Sequence, residues 1–167
     1  MTKQPQVAIL MGSDSDWPAF EPAVQVLKEF GVAYDVRALS AHRSPAQVRQ
    51  FVEQAPRRGI KVFIAGAGGA AHLAGTVAAH TTLPVIGVPI NSKALKGLDS
   101  LLSTVQMPKG VPVATVAIDN TANAAVLGVQ ILAVSDRALQ RKLAAFKRGL
   151  ATKVLKADRA LQAKLRG

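Results

Sequence analysis

The chain has 167 residues, of which 49% are hydrophobic and 19% are charged, and its formal net charge is +11. This length and composition indicate one folded domain with its own core, and they exclude disordered and collagen-like proteins. Because the chain contains no cysteine, disulfide bonds, thiolate metal ligands and cysteine nucleophiles are excluded. No apolar run approaches the roughly 18 residues that cross a bilayer, and the N-terminus shows no secretory segment. We therefore expect a cytoplasmic protein without a membrane partner.

Most of the positive charge lies in the C-terminal segment. Residues 135–167 contain ten Lys and Arg against two Asp, a net charge of +8, whereas residues 1–134 carry a net charge of +3. Aromatic residues make up only 4% of the chain, too few for a platform on which nucleic-acid bases stack. The pattern favours a solvated helical tail, with a polyanion contact as the alternative, and we expect no nucleic-acid partner.

Apolar runs typical of buried strands alternate with segments of helical spacing. The expected strands cover residues 6–11, 32–39, 61–65, 84–88 and 113–118. The expected helices cover residues 18–30, 45–58, 70–80 and 120–134, followed by one or two helices in 136–166. The alternation predicts an α/β fold: a three-layer sandwich with a central parallel sheet, of the flavodoxin or Rossmann type, plus C-terminal helices. Residues 1–167 would form a single domain, with its core at about 6–134 and a helical segment at about 135–167.

Ligands of such folds bind at the carboxyl ends of the strands, and this rule selects four loops. They are residues 12–17, 40–44, 66–72 and 89–97. In the first loop, Ser13, Ser15 and Asp16 are suited to hydrogen-bond a ribose or a phosphate. Ordinary capping of the next helix by Ser15 or Asp16 is the alternative. This loop has neither the P-loop pattern nor the glycine pattern of dinucleotide-binding proteins.

The second loop combines a proton carrier with an anion-binding group. His42 is of the residue type that titrates near neutral pH, and the guanidinium of Arg43 can fork onto phosphate oxygens. A surface pair without function is the alternative. Ser44 and Pro45 are typical of the N-cap and the first position of a helix.

The third loop, residues 66–72, is almost free of side chains. A ligand can lie against its backbone N–H groups, and close packing of helix on sheet is the alternative. His72 ends this loop, and His80 follows more than two helical turns later. Because that separation is too long for one metal ion, the sequence predicts no metal site.

Taken together, these loops resemble one known family. The motifs GSDSDW (12–17), SAHRSP (40–45) and AGAGGAAHL (65–73) resemble the class I N5-carboxyaminoimidazole ribonucleotide mutases of purine biosynthesis, known as PurE. The resemblance continues through LPVIGVP (83–89), DSLLS (99–103) and VQMP (105–108). It ends in NAA (123–125) and QILA (130–133), and it covers roughly residues 6 to 148.

The resemblance implies an isomerase that moves a carboxylate from N5 to C4 of an aminoimidazole ribonucleotide by decarboxylation and recarboxylation. It implies no cofactor and no metal, and it assigns the catalytic proton to His42. The residues expected to bind substrate are Ser13, Ser15, Asp16, Ser40, Arg43, Ala67, Gly68, Gly69, His72 and Leu73. The family also suggests a homo-octamer. The helices expected in 122–166 have more apolar surface than one small sheet can cover, which agrees with such an assembly.

Three alternatives stay open at this point. Within the enzyme class, the chain could carboxylate aminoimidazole ribonucleotide directly with CO2, although the class II relatives that do so typically lack the run from Gly68 to His72. A regulatory nucleotide-binding module would need the same phosphate contacts without an acid–base residue. A nucleic-acid protein would need clustered cations on one face instead of three polar strand-end loops.

Overall fold

The computed structural model describes residues 4–166, and within them five parallel strands form one sheet in the order β2-β1-β3-β4-β5. The expected parallel α/β architecture is confirmed. The sequence predicts that the N-terminus is not a secretory segment, and residues 1–3 lie outside the described residues. The strands are β1 Val7–Met11, β2 Tyr34–Ala38, β3 Val62–Gly68, β4 Val85–Ile90 and β5 Ala114–Thr115.

Helices cover both faces of the sheet, as the alternating pattern predicts. They are α1 Trp17–Phe30, α2 Pro45–Gln54, α3 Leu73–Ala79, α4 Leu98–Val105, α5 Thr121–Ala133 and α6 Arg137–Arg166. Successive side chains of a strand point to opposite faces. Val7 and Ile9 therefore pack with α1 and α5, whereas Ala8 and Leu10 pack with α2 and α3.

Helix α4 is absent from the sequence-based expectation, because its apolar pattern is reversed. Leu98, Leu102 and Val105 are exposed, whereas Ser100 and Thr104 are buried against the sheet. A pattern search looks for an apolar face toward the core, and here the core-facing side chains are hydroxyls. Each of these two hydroxyls donates to a carbonyl oxygen, which offsets the cost of burying it.

Several element boundaries differ from the expected ones. Strand β3 continues to Gly68, and α3 begins at Leu73 instead of residue 70. Of the strand expected over 113–118, the residues paired with β4 are Ala114 and Thr115. The pairing ends after the Val116 N–H donates to the Gly87 carbonyl oxygen at 3.0 Å.

The C-terminal segment is one continuous helix. Helix α6 spans 30 residues, and its side chains that pack against the core of the described residues, Leu139, Leu143 and Phe146, lie in its first part. Leu139 is buried, and the ring of Phe146 packs edge-on against Phe30 with centroids 5.6 Å apart. Every residue from 147 to 166 is exposed. No helix of the described residues is both long and apolar enough to cross a membrane.

We expect Gly66→Ala to destabilise the fold. A methyl group at Gly66 would lie 2.6 Å from Phe20 Cζ and 2.8 Å from the Val88 carbonyl oxygen, which cannot move without disturbing β4. The free energy of unfolding should fall by about 1–3 kcal/mol or more, as in other overpacked cores. Urea unfolding measures this change.

Gly149→Ala is the matched control, because a methyl group there meets nothing within 4 Å on exposed α6. It should raise stability by about 1 kcal/mol at most, the difference in helix propensity. Wild-type stability of Gly66→Ala would contradict the packing described here.

Candidate active site

Three of the four strand-end loops surround a cleft of about 320 Å³. The register of the sheet brings them together, because Met11 at the end of β1 pairs with Ala38 of β2 and with Gly66 of β3. The residues that line the cleft are Gly12, Ser13, Asp16, Ser40, Ala41, His42, Arg43, Ala67, Gly68, Ala70, His72 and Leu73. Among these described lining residues, none comes from the fourth loop, residues 89–97.

Most of the residues expected to bind substrate lie in this lining, and Ser15 and Gly69 lie outside it. The assignment of all ten residues to substrate binding stays a prediction. Ala70 lies in the third loop, whose backbone N–H groups are expected to contact a ligand, but the sequence did not single out Gly12 and Ala41, which carry no polar side chain. Their positions inside the three loops are the one signal that could have found them.

The first loop is held by its own serines. Ser13 Oγ accepts hydrogen bonds from the backbone N–H and the hydroxyl of Ser15, at 3.3 and 2.9 Å, and donates to Asp14 Oδ1 at 3.1 Å. Ser13 thereby caps the short 3₁₀ turn Asp14–Asp16 that precedes α1. Ser15 thus supports Ser13, and it does not cap α1.

Asp16 lines the cleft, and within the described residues its carboxylate is not used to cap helix α1. It occupies the N-cap position of α1, yet within the described residues its side chain makes no capping hydrogen bond. Burial raises the pKa of Asp16, and the polar groups of Ser13 and Ser15 and the cation of Arg43 offset this effect in part. A carboxylate kept partly buried in this way is suited to accept hydrogen bonds from a ligand.

The second loop is tied to the first by Arg43. Its backbone N–H donates to Ser40 Oγ at 3.1 Å, and its Nη2 donates to the Gly12 carbonyl oxygen at 2.9 Å. Ser44 Oγ accepts from the Ser40 N–H and donates to the Ser40 carbonyl oxygen, at 2.9 and 3.1 Å. Ser44 is the N-cap residue of α2 and Pro45 its first residue, as expected, but within the described residues the Ser44 side chain makes no capping hydrogen bond and instead closes the loop.

The two histidines of the cleft are hydrogen-bonded to each other. His42 Nε2 and His72 Nδ1 lie 2.8 Å apart, although the residues are 30 positions apart in the chain. The rings are nearly perpendicular, with an interplanar angle of 89°. One nitrogen must donate and the other must accept, so the pair holds one proton between the two rings.

His80 lies at the C-terminal end of α3, outside this cleft. Within the described residues, no group of three His, Asp or Glu side chains is placed to hold a metal ion.

The third loop presents fewer backbone donors than its composition suggests. The Gly69 N–H donates to Ser100 Oγ at 2.8 Å, and the Ala71 N–H donates to Ser103 Oγ at 3.0 Å. The His72 N–H donates to the Ala70 carbonyl oxygen at 2.9 Å. Ser100 and Ser103 lie on α4, the helix that sequence reasoning missed.

Comparison with known proteins assigns this arrangement to a family. A model of the family described as AIR carboxylase matches residues 6–153. The chain belongs to the AIR carboxylase family. The family that the loop motifs suggested is therefore confirmed.

Curated relatives carry the mutase name. The chain is 54% identical over 153 residues to the N5-carboxyaminoimidazole ribonucleotide mutase of Pyrococcus horikoshii, covering 92% of this chain and 86% of the relative. It is also 54% identical over 162 residues to the enzyme of that name from Mycobacterium leprae, covering 97% and 95%. The function expected from the sequence is the one that these names give to the relatives.

Solved structures confirm the fold. A single-substitution variant of Treponema denticola PurE2 superposes with a TM-score of 0.86 at 29% identity, covering 93% of this chain and 97% of that one. Treponema denticola PurE superposes with a TM-score of 0.84 at 30% identity, covering 92% and 96%. In both cases the similarity extends over more than nine tenths of the chain.

The raised pKa of Asp16 predicts a stability cost at neutral pH. A carboxyl group whose pKa is higher in the folded than in the unfolded chain destabilises the fold when it is ionised, and this cost disappears when both states are protonated. Asp16→Asn should therefore raise the free energy of unfolding at pH 7.

The gain should shrink as the pH falls through the raised pKa toward the ordinary aspartate value of about 3.9. Urea unfolding of both proteins across this pH range measures the difference. A loss of stability at pH 7 in Asp16→Asn would show that the hydrogen bonds of the ionised carboxylate outweigh its burial.

Proposed function

We propose that the cleft of this chain converts N5-carboxyaminoimidazole ribonucleotide to 4-carboxy-5-aminoimidazole ribonucleotide, a step of de novo purine biosynthesis. The observation that carries the proposal is the hydrogen bond between His42 Nε2 and His72 Nδ1 inside a cleft that Arg43 also lines. A proton carrier, a cation and a side-chain-poor strand end are the groups that this carboxylate transfer needs. The family and the names of the relatives support the same assignment.

The first two loops bind the ribonucleotide in this proposal. Ser13, Ser40 and Arg43 hold the phosphate, and Asp16 accepts a hydrogen bond from a ribose hydroxyl. Two hydrogen bonds of the Arg43 guanidinium support this role, because they orient it before a ligand arrives. Its Nε donates to Ser40 Oγ at 3.4 Å, and its Nη2 donates to the Gly12 carbonyl oxygen at 2.9 Å. Ser15 acts through Ser13, whose hydroxyl it contacts at 2.9 Å.

The first chemical step breaks the bond between N5 and the carboxylate carbon. A protonated His42 gives its proton to N5, the electron pair of the breaking bond stays on N5, and CO2 is released into the cleft. In the free protein His72 Nδ1 is the hydrogen-bond partner of His42 Nε2, and substrate N5 replaces it. His42 is left neutral, ready to act as a base.

The second step forms the new carbon–carbon bond. C4 of the aminoimidazole attacks CO2, so that C4 carries both its original proton and a carboxylate. Neutral His42 removes this proton, which restores the aromatic ring and returns His42 to its protonated state. The proton count is unchanged over the cycle, and the proposal uses no cofactor and no metal.

The end of β3 and the loop after it keep CO2 near C4 in this proposal. Ala67, Gly68 and Leu73 line this part of the cleft and carry no polar side chain, so that water is poorly held there. Gly69 acts by shaping the loop, since its φ of +66° lies in the left-handed region that favours glycine. His72 lies at the reacting end against His42.

Direct carboxylation of aminoimidazole ribonucleotide by CO2 is the second candidate. The phosphoribosylaminoimidazole carboxylase of Saccharomyces cerevisiae is 55% identical to this chain over 143 residues, but the match covers only 25% of that protein. The relatives matched over most of their length carry the mutase name. The run from Gly68 to His72 also favours the mutase.

The experiment that tests the function compares two substrates and two variants. The chain should turn over the N5-carboxylated ribonucleotide, and aminoimidazole ribonucleotide with bicarbonate should be a much poorer substrate. His42→Asn should still bind the ribonucleotide, while turnover falls by the roughly 10²–10⁴-fold that general acid–base catalysis supplies. Proton exchange at C4 of the product should fall with it.

His72→Asn is the comparison variant and should be milder, because His72 shapes the site. Near-normal turnover in His42→Asn together with a large loss in His72→Asn would move the acid–base role to His72. Faster turnover of aminoimidazole ribonucleotide and bicarbonate than of the carboxylated substrate would favour the second candidate.

We also propose that residues 1–167 act as one domain that assembles into a homo-octamer and works in the cytoplasm on a small-molecule nucleotide. The assembly is supported by exposed apolar side chains on α4, where Leu98 and Leu102 are each 49% exposed. The second half of α6 exposes Leu161 and Leu165 in the same way. Such side chains are typical of surfaces covered by further copies of a chain.

Light scattering at micromolar concentration should therefore give a mass of eight chains. Replacing Leu98 and Leu102 together by Ser should lower this mass. A wild-type protein that scatters as a monomer would contradict the assembly.

A further inference from the structure

Helix α4 holds the loop after β3 through two serine hydroxyls. Ser100 Oγ accepts the N–H of Gly69 at 2.8 Å, and Ser103 Oγ accepts the N–H of Ala71 at 3.0 Å. The two serines are three positions apart, and side chains at this spacing lie on one face of a helix. This face of α4 therefore binds alternate residues of the loop.

The serines are themselves fixed in place. Ser100 is completely buried, and its hydroxyl donates to the carbonyl oxygen of Ile90 at the end of β4, at 2.7 Å. The hydroxyl of Ser103 donates to the carbonyl oxygen of Asp99 at 2.7 Å. A hydroxyl has one proton, so each donation leaves the lone pairs of the oxygen for the loop N–H.

Residues 69–71 of this loop carry no side chain larger than a methyl group, so their side chains make no hydrogen bonds that could fix its conformation. Gly69 adopts a φ of +66°, and the neighbouring residues are glycine or alanine. A segment of this kind has high conformational entropy when it is unrestrained. The two hydrogen bonds from α4 supply the restraint that the loop sequence lacks.

Binding of alternate residues leaves one loop donor free for the cleft. Ala70 lies between the two bound residues and lines the cleft, and within residues 4–166 its N–H has no acceptor. One residue after Ala71 comes His72, whose Nδ1 contacts His42 Nε2. The position of α4 therefore sets both the free N–H and the histidine pair.

We propose that Ser100 and Ser103 are positioning residues that aim the Ala70 N–H at the migrating carboxylate and fix His72 at the reacting end of the cleft. This inference rests on the proposed mutase function and adds residues outside the cleft to it. A carboxylate or CO2 oxygen near Ala70 would receive a preorganised donor, which lowers the energy of the charge that develops on recarboxylation.

Ser103 carries the test, because it is only partly buried and its replacement disturbs the core less than that of Ser100. Ser103→Ala should lower kcat about 10- to 100-fold, the range that a small misplacement of reacting groups produces. The KM should change little, because the phosphate and ribose contacts lie in the other two loops. A larger share of turnovers should end with CO2 and aminoimidazole ribonucleotide in solution, since the loop no longer holds the released CO2 near C4.

Two further substitutions separate positioning from simple loss of stability. Ser103→Thr keeps the hydroxyl and should restore both kcat and the coupling of decarboxylation to recarboxylation. Ser103→Cys keeps the volume but has a weak acceptor, and it should behave like Ser103→Ala. This second variant decides the matter if the alanine protein does not fold.

Thr121→Val is the matched control. Thr121 is fully buried at the start of α5, and its hydroxyl donates to the Ala19 carbonyl oxygen at 2.6 Å, without contact to the loop. Its replacement should lower the melting temperature and leave the fraction of uncoupled turnovers at the wild-type value.

Wild-type kcat and wild-type coupling in Ser103→Ala would overturn the positioning role, as would a defect that Ser103→Thr does not repair. A wild-type chain that does not convert the N5-carboxylated ribonucleotide would instead overturn the proposed function. The two failures are therefore distinguishable.

Discussion

The cleft exists because strands β2, β1 and β3 run parallel and point their carboxyl ends to the same edge of the sheet, where β3 continues two residues beyond the end of β1. Met11 pairs with Ala38 on one side and with Gly66 on the other, so the three following loops begin side by side. Hydrogen bonds from Arg43 to Gly12 and between His42 and His72 then join the loops in pairs. A shift of one strand by one residue would separate these partners and turn core side chains to the wrong face.

Small residues at the end of β3 serve the core and the cleft together. Gly66 leaves room for the ring of Phe20 beneath the sheet, and Ala67 and Gly68 leave room for a ligand above its edge. As a consequence, the small residues of the loop after β3 have no polar side chains that could fix its conformation. Helix α4 compensates for this through hydroxyl groups, which is why it turns serine and threonine toward the core and leucine toward the surface.

The polar groups of the site are largely arranged before a ligand binds. Among the described residues, no buried side-chain nitrogen or oxygen lacks a hydrogen-bond partner. Ser13, Ser40 and Arg43 are held by neighbouring groups, so a substrate would lose little binding energy to ordering them. Asp16 differs from these groups, because its partial burial raises its pKa and so favours the neutral carboxyl group over the carboxylate.

The sequence by itself determined the alternation of strands and helices apart from α4, the parallel sheet, and four strand-end loops that include the three of the cleft. Strand and helix periodicities are local, and the carboxyl ends of parallel strands always meet at one edge. His42 and Arg43 could be named from residue type and loop position, whereas the role of His72 followed from the resemblance of the loop motifs to a known family. Apolar periodicity could not find α4, because its buried face is polar and its leucines are exposed.

Only the tertiary structure decided which atoms meet. Side-chain directions and strand register decide three hydrogen bonds of the site. They are the 2.8 Å bond between His42 and His72, the bond from the Gly69 N–H to Ser100 Oγ, and the bond from the Ser15 hydroxyl to Ser13 Oγ. Hydrogen bonds are short-ranged and directional, so residue spacing along the chain does not specify them across elements.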